Sequence, residues 1–151
     1  MNVAFRALDT NGDWPFVLQH IQMVRSENTS GVIAVNSDTQ ERLAAMICES
    51  WTPTSVQCHF IVAHRAALRH NFHRECARYV FTTGGRLKMI GIVPSSNIKA
   101  LRLNKKFGFT PVGVLEDAFD VGEHAVILEM HRDACNYWDG FPVEHRRVAN
   151  G

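Results

Sequence analysis

Asn97, Ala100 and Asn104 recur within Val93-Pro94-Ser95-Ser96-Asn97-Ile98-Lys99-Ala100-Leu101-Arg102-Leu103-Asn104-Lys105-Lys106-Phe107-Gly108-Phe109. At that spacing they share one face of a helix. Two side-chain amides on an otherwise apolar and basic helix suit the holding of a polar group, because an amide donates and accepts hydrogen bonds without titrating. A second group of chemically capable residues is His64, His70, His73 and Cys76. His70, His73 and Cys76 fall at i, i+3 and i+6 of an expected helix, so their directions sweep around its axis and do not converge on one ion. No second ligand pair stands at finger-like spacing. The expectation is therefore no metal, with His70 and His73 exposed near a helix start and Cys76 in the core.

Cys48, Cys58, Cys76 and Cys135 form no C-x-x-C pair. Their strand and helix contexts are those of small buried thiols, reduced and structural, which suits a cytoplasmic protein. The N-terminal Met1-Asn2-Val3-Ala4-Phe5-Arg6 lacks the apolar core of a signal peptide. No apolar run reaches the roughly 20 residues that span a bilayer. With 16 basic and 15 acidic residues and a net charge of +1, the chain offers no electrostatic case for nucleic acid or an anionic membrane. A phosphorylated ligand must be held by a local site.

The elements that position these residues alternate in type. Val3 to Leu8 reads as a strand. Asp13 caps a helix at Trp14-Pro15 that continues through Val17, Leu18, Ile21 and Val24 to about Arg25. Gly31 to Val35 and Leu43 to Glu49 read as a hairpin around Asn36-Ser37-Asp38. Val56 to Val62 is a strand, and Arg69 to Thr82 is a helix with Phe72, Cys76, Tyr79 and Val80 as its buried stripe, stopped by Gly84-Gly85. Leu87 to Val93 is the next strand. Ser95, Ser96 and Asn97 each can cap the following helix, which Gly108 stops. Residues 110–118 and 124–130 are strands joined at Asp120-Val121-Gly122. Strands joined through helices pair in parallel and hairpins pair antiparallel. The predicted fold class is thus α/β (α+β), a mixed, mostly antiparallel central sheet with helices on both faces. Residues 1–135 form one domain at a length able to bury a core, and 136–151 form an irregular C-terminal extension. Trp14, Trp51 and Trp138 are expected at core edges, Trp51 where a substrate pocket could open.

The stretch from Asn97 to Phe109 resembles the last helix of the GNAT superfamily of N-acetyltransferases. The family shows an Asn after its fifth strand, a small residue three further on and a closing Gly-Phe pair, here Asn97, Ala100 and Gly108-Phe109. The resemblance runs through residues 86–135 by motif and through 3–85 by element order. A narrower likeness is to small acetyltransferase-like proteins of phages and prophages, which would place the chain in a host cytoplasm. The resemblance implies that strands 56–62 and 87–93 splay apart to admit the pantetheine arm of acetyl-coenzyme A. It implies a primary-amine acceptor, a small molecule or a peptide, and is compatible with a homodimer.

The same resemblance implies cofactor contacts from the backbone of Phe60, Ile61 and Val62 and from Asn97, Ala100, Asn104 and Lys105. It also implies a pyrophosphate site between strand and helix, at Arg65, Arg69, His70, Asn71 and Phe72, on the helix starting near Arg69. The family loop there is Q/R-x-x-G-x-G/A, whereas this chain has Ala63-His64-Arg65-Ala66-Ala67-Leu68-Arg69-His70-Asn71-Phe72, without glycine. Asn71 tolerates the left-handed backbone and is the best substitute. Either coenzyme A binds through this variant loop, or binding is weak or lost and the chain is a GNAT-fold interaction or virion-associated protein. Where many family enzymes place a Tyr acid, this chain has Asn104, which can hydrogen-bond the thiol but not protonate it. For a base, His59 and Glu49 are the candidates. His59 lies on the strand face opposite Val56, Cys58, Phe60 and Val62, and an imidazole titrates where amine deprotonation requires. The plainer alternatives are an internally bonded His59 and a solvated Glu49.

Overall fold

The computed structural model describes residues 1–140. Seven strands form one sheet: β1 (Val3–Ala7), β2 (Ser30–Asn36), β3 (Arg42–Glu49), β4 (Ser55–Val62), β5 (Lys88–Pro94), β6 (Thr110–Asp120) and β7 (Glu123–His131), in the order β1-β2-β3-β4-β5-β7-β6. Every neighbouring pair is antiparallel except β4 and β5. The sheet is mixed and mostly antiparallel as expected, but β1 and β2, joined through a helix, pair antiparallel where the connection predicts a parallel pair.

Two clusters show that both faces are covered. On one face, α1 (Trp14–Leu18) packs Trp14 and Val17 against Ile33, Val35, Ala45, Ile47 and Ile61. On the other, α3 (Phe72–Ala77) and α4 (Ile98–Phe107) pack Phe72, Cys76 and Phe107 against Ala44, Met46, Cys48 and Cys58. The two-sided cover explains why Leu43 to Cys48 is an unbroken buried apolar run in an antiparallel strand. All four cysteines are buried and unpaired.

Three features differ from the sequence reading: the end of the first helix, the role of Asp13 and the continuity of the second helix. The first helix ends at Leu18 rather than near Arg25. A helix this short is held by its packing, and Trp14, Phe16 and Val17 supply it, whereas Val24 is left 89% exposed with no surface to cover. Asp13 makes no capping hydrogen bond. Its carboxylate accepts instead from Arg6 at 2.7 and 2.9 Å, Arg42 at 2.7 Å and the Asp9 N–H at 2.8 Å. Burial works against that charge, but these donors hold the Asp13 carboxyl at about 2, below the usual carboxylate range.

The expected helix from Arg69 to Thr82 is three pieces: α2 (Ala66–Arg69), α3, and a π-helical turn over Arg78–Thr83. The first break is at Asn71, whose φ of 70° is left-handed. Asn adopts that conformation more readily than other residues with a Cβ. The stripe itself is as read: Phe72, Cys76 and Val80 are fully buried, and Tyr79 is half-buried with its hydroxyl donating to Ser30 Oγ at 2.7 Å. The hairpin β2–β3, the helix α4 and the hairpin β6–β7 stand within a residue or two of their expected positions. Of the expected C-terminal extension, residues 136–140 are irregular, and the rest lies outside the described residues.

Candidate functional site: the gap between β4 and β5

The parallel ladder between β4 and β5 holds only three residue pairs, ending at Gln57↔Ile90. Beyond it the strands part, leaving the β4 backbone that faces β5 without a ladder partner. A cavity of about 290 Å³ occupies the gap, lined on β4 by His59, Phe60, Ile61 and Val62 and on β5 by Ile92 to Pro94. α4 closes one side, and the chain just after α1 closes the other.

The local sequence of α4 sets its contribution. Pro94 ends β5, and of the three possible caps Asn97 is the one used: its Oδ1 accepts from the Ala100 N–H at 3.1 Å. Ser95 and Ser96 are engaged otherwise, donating their hydroxyls to the Glu123 carboxylate at 3.4 and 2.7 Å. Gly108 ends the helix at φ 134°, and a Cβ there would stand 2.8 Å from the Ala134 carbonyl. Between these limits Asn97, Ala100 and Asn104 all line the cavity, as their spacing predicts. Asn104 is only 7% exposed, and among the described residues its side-chain amide has no protein hydrogen-bond partner. Its amide atoms are not shut off from solvent, so they open on the cavity and can hydrogen-bond a ligand there.

His59 reaches the gap from the other face of β4. It pairs with Ile47 across the ladder and so shares the face of Ile61 and α1, as its alternation predicts. Its Nε2 is shut off from solvent, lies 3.3 Å from Glu49 Oε2, and makes no well-aligned hydrogen bond. Burial pushes the imidazole below its ordinary pKa, and the nearby Glu49 carboxylate draws it part of the way back. His59 is thus the neutral, proton-accepting form over more of the neutral range than a free imidazole. Glu49 does not line the cavity, and it acts on this space only through His59.

The proposed phosphate segment lies apart from the cavity. Arg65, Arg69, His70 and Asn71 are exposed, while the Phe72 ring is fully buried in the core and has only its backbone to offer a ligand. The helix start also shifts. In the turn 64–70 several N–H groups are already engaged: that of Ala66 donates to His64 Nδ1, and those of Ala67, Leu68 and His70 donate to carbonyls three residues back. After Asn71, the N–H groups of Phe72, His73 and Arg74 have no partner among the described residues. The helix expected to start near Arg69 is thus interrupted at the left-handed Asn71, and α3 starts at Phe72. Lys105 is exposed on α4 and does not line the cavity.

His73 departs from its expected exposure. It is 7% exposed, its ring centroid 4.3 Å from that of Phe107, because α3 begins one residue before it and turns it inward. Burial, aided by Lys106, lowers its pKa to about 4. Trp51 packs against Tyr79 and under the Arg86 guanidinium, away from the cavity. Among the described residues, no group of three or more His, Cys, Asp and Glu is placed to hold a metal ion, and no helix is long and apolar enough to cross a membrane.

Sequence reasoning missed His20, Ile21, Lys99 and Leu103, all of which line the cavity. Lys99 and Leu103 were available from the i, i+4 spacing of α4. His20 and Ile21 had no signal, because they follow a helix that ends earlier than its periodicity suggests.

No family model matches this sequence, and no curated protein matches it. Solved structures do. The spermidine/spermine N-acetyltransferase SpeG of Vibrio cholerae, solved with manganese ions, superposes with a TM-score of 0.71 at 14% identity, over 87% of this chain and 93% of that one. Mutant forms of the same enzyme, with glutamates replaced by glutamine, give 0.72 at 15% identity, over 90% and 97%. The spermidine N-acetyltransferase of Vibrio cholerae in complex with CoA and spermine gives 0.70 at 14%, over 87% and 96%. What the chain shares with them is the GNAT fold.

Proposed function

We propose that this chain is an N-acetyltransferase that moves an acetyl group from acetyl-coenzyme A to a primary amine by direct attack. The observation that carries this reading is the parting of β4 and β5 after Gln57↔Ile90, with a cavity in the gap faced by His59 from one side and the Asn97–Asn104 face from the other. The fold is that of acetyltransferases, one of them solved with CoA and spermine.

Acetyl-coenzyme A supplies an activated thioester, and the chain supplies position and proton handling. The backbone N–H groups of Phe60 and Val62, which face away from β3, are the groups to polarise a carbonyl, while that of Ile61 is directed to the β3 ladder. The Asn104 amide is a hydrogen-bond partner for the sulfur or the pantetheine amide, with Asn97 and Ala100 along the same channel wall. The N–H groups following Asn71, with Arg65, Arg69 and His70 nearby in sequence and Lys105 on α4, are the groups for the phosphates. The Glu49 carboxylate beside His59 Nε2 favours the proton on that nitrogen, which leaves Nδ1 as the one that accepts. In the reaction the amine nitrogen bonds to the acetyl carbon, the C–S bond breaks, the amine proton passes to His59 and the thiolate leaves. Glu49 is a positioning residue in this scheme. A cytoplasmic site of action and a phage-type lineage rest on the sequence resemblance.

Calorimetric titration with acetyl-coenzyme A tests the reading, followed by thiol release in the presence of amines. Saturable binding that Asn97→Ala weakens is the expected outcome. No binding would favour the interaction-protein alternative, to which the glycine-free loop points.

A further inference from the structure

We infer that the acceptor is a monoamine on an apolar body and not a polyamine. The inference rests on the acetyltransferase reading above and names the substrate class of that same cavity. The α1 side of the gap, where His59 and Ile61 face, is the side that an acceptor must enter if the α4 side holds the pantetheine arm. Its wall is His20, Ile21, His59 and Ile61, continued by Ile92 on β5. Among the described residues, no Asp or Glu lines the cavity, and the one permanently charged side chain that does is the cation Lys99.

A polyamine carries two or more ammonium groups. Each needs a carboxylate or water when it enters a site walled by isoleucine, because an unpaired buried charge is strongly disfavoured. The Glu49 carboxylate, behind His59, is drawn to that imidazole at 3.3 Å. Asp13, behind α1, is neutralised by Arg6 and Arg42. Lys99 would repel a second ammonium group. A single amine has a different balance. It leaves its surplus proton in water on entering as the free base, the proton lost on amide formation goes to His59, and its apolar body replaces water along the isoleucine wall.

The test is a comparison of 2-phenylethylamine, hexylamine and spermidine as acceptors at saturating acetyl-coenzyme A, read as kcat/KM for thiol release with product mass as a check. At least one of the two monoamines is expected to exceed spermidine by about tenfold or more, the equivalent of one unit in log affinity. Ile21→Asp, which places a carboxylate in the half-buried wall, is expected to narrow that ratio by raising the spermidine value. Spermidine used as well as the monoamines, or none of the three amines acetylated although acetyl-coenzyme A binds by calorimetry, overturns the inference and leaves the cofactor reading standing. Absence of acetyl-coenzyme A binding overturns both.

Discussion

His59 Nε2 and Glu49 Oε2 stand 3.3 Å apart on the diagonal of the β3–β4 ladder, where Ile47 pairs with His59 and Glu49 pairs with Gln57. Nε2 is shut off from solvent there, while the residue lines the gap. The contact also opposes the effect of burial on the same ring.

The pH dependence of turnover should report this pair. Protonated His59 cannot accept a proton, so kcat should rise with pH as the imidazole deprotonates, at a value below the ordinary 6.5 because burial outweighs Glu49. Glu49→Gln removes the influence that raises the pKa, so the rising limb should move to lower pH. His59→Ala should lower kcat by about 10²–10⁴ and abolish the limb. An unshifted limb in Glu49→Gln would exclude His59 as the titrating group.

Asn97 and Asn104 should separate stability from binding. Asn97→Ala loses the bond to the Ala100 N–H, at a cost of about 1 kcal/mol by denaturant titration. Its affinity for coenzyme A should fall beyond what the change in folding explains. Asn104→Tyr restores a phenol at a position where Tyr79 and Tyr137 cannot serve, since neither lines the cavity. It should introduce a falling limb in the rate profile near pH ~10, the ordinary phenol range. A profile unchanged at high pH would show that residue 104 does not reach the leaving sulfur.

Asn71 should tolerate only residues at ease in the left-handed region. Asn71→Gly should retain coenzyme A binding and thermal stability. Asn71→Val should cost about 1–2 kcal/mol and weaken coenzyme A in calorimetry, because the Phe72–Arg74 turn loses its aim. Equal coenzyme A affinity in Asn71→Val would separate this turn from the phosphates.

Acid should unfold the protein in two windows. His73 is buried neutral with a pKa of about 4, against 6.5 when free, so its contribution is intact above 6.5 and is lost as pH falls toward 4. The loss is of order 3 kcal/mol at one unit per 1.36 kcal/mol. Asp13, held at about 2 against 3.8, loses its contribution between those two values. His73→Phe should flatten the first window in urea titrations run across pH, and leave the second. Asp13→Asn should cost about 3 kcal/mol at neutral pH by leaving two arginines without their acceptor. A first window unchanged in His73→Phe would assign that loss to another group.

The sequence by itself determined the elements and one wall of the site. Alternation along Val56 to Val62, the apolar run of β3, the Pro94 and Gly108 stops and the Asn97–Asn104 spacing are local patterns, and local patterns encode periodicity and helix ends. They put His59 on its face of β4 and both amides on one face of α4. Only the tertiary structure decided what meets across the sheet. Where β4 and β5 part depends on ladder bonds between residues about thirty apart. The approach of Glu49 to His59 depends on register, and the arrival of His20 in the cavity depends on α1 ending at Leu18. His73 turns inward and Asp13 leaves its cap for Arg6 and Arg42 for the same reason. Burial and long-range charge pairing outweigh a local preference worth about 1 kcal/mol, and neither is written in the neighbouring residues.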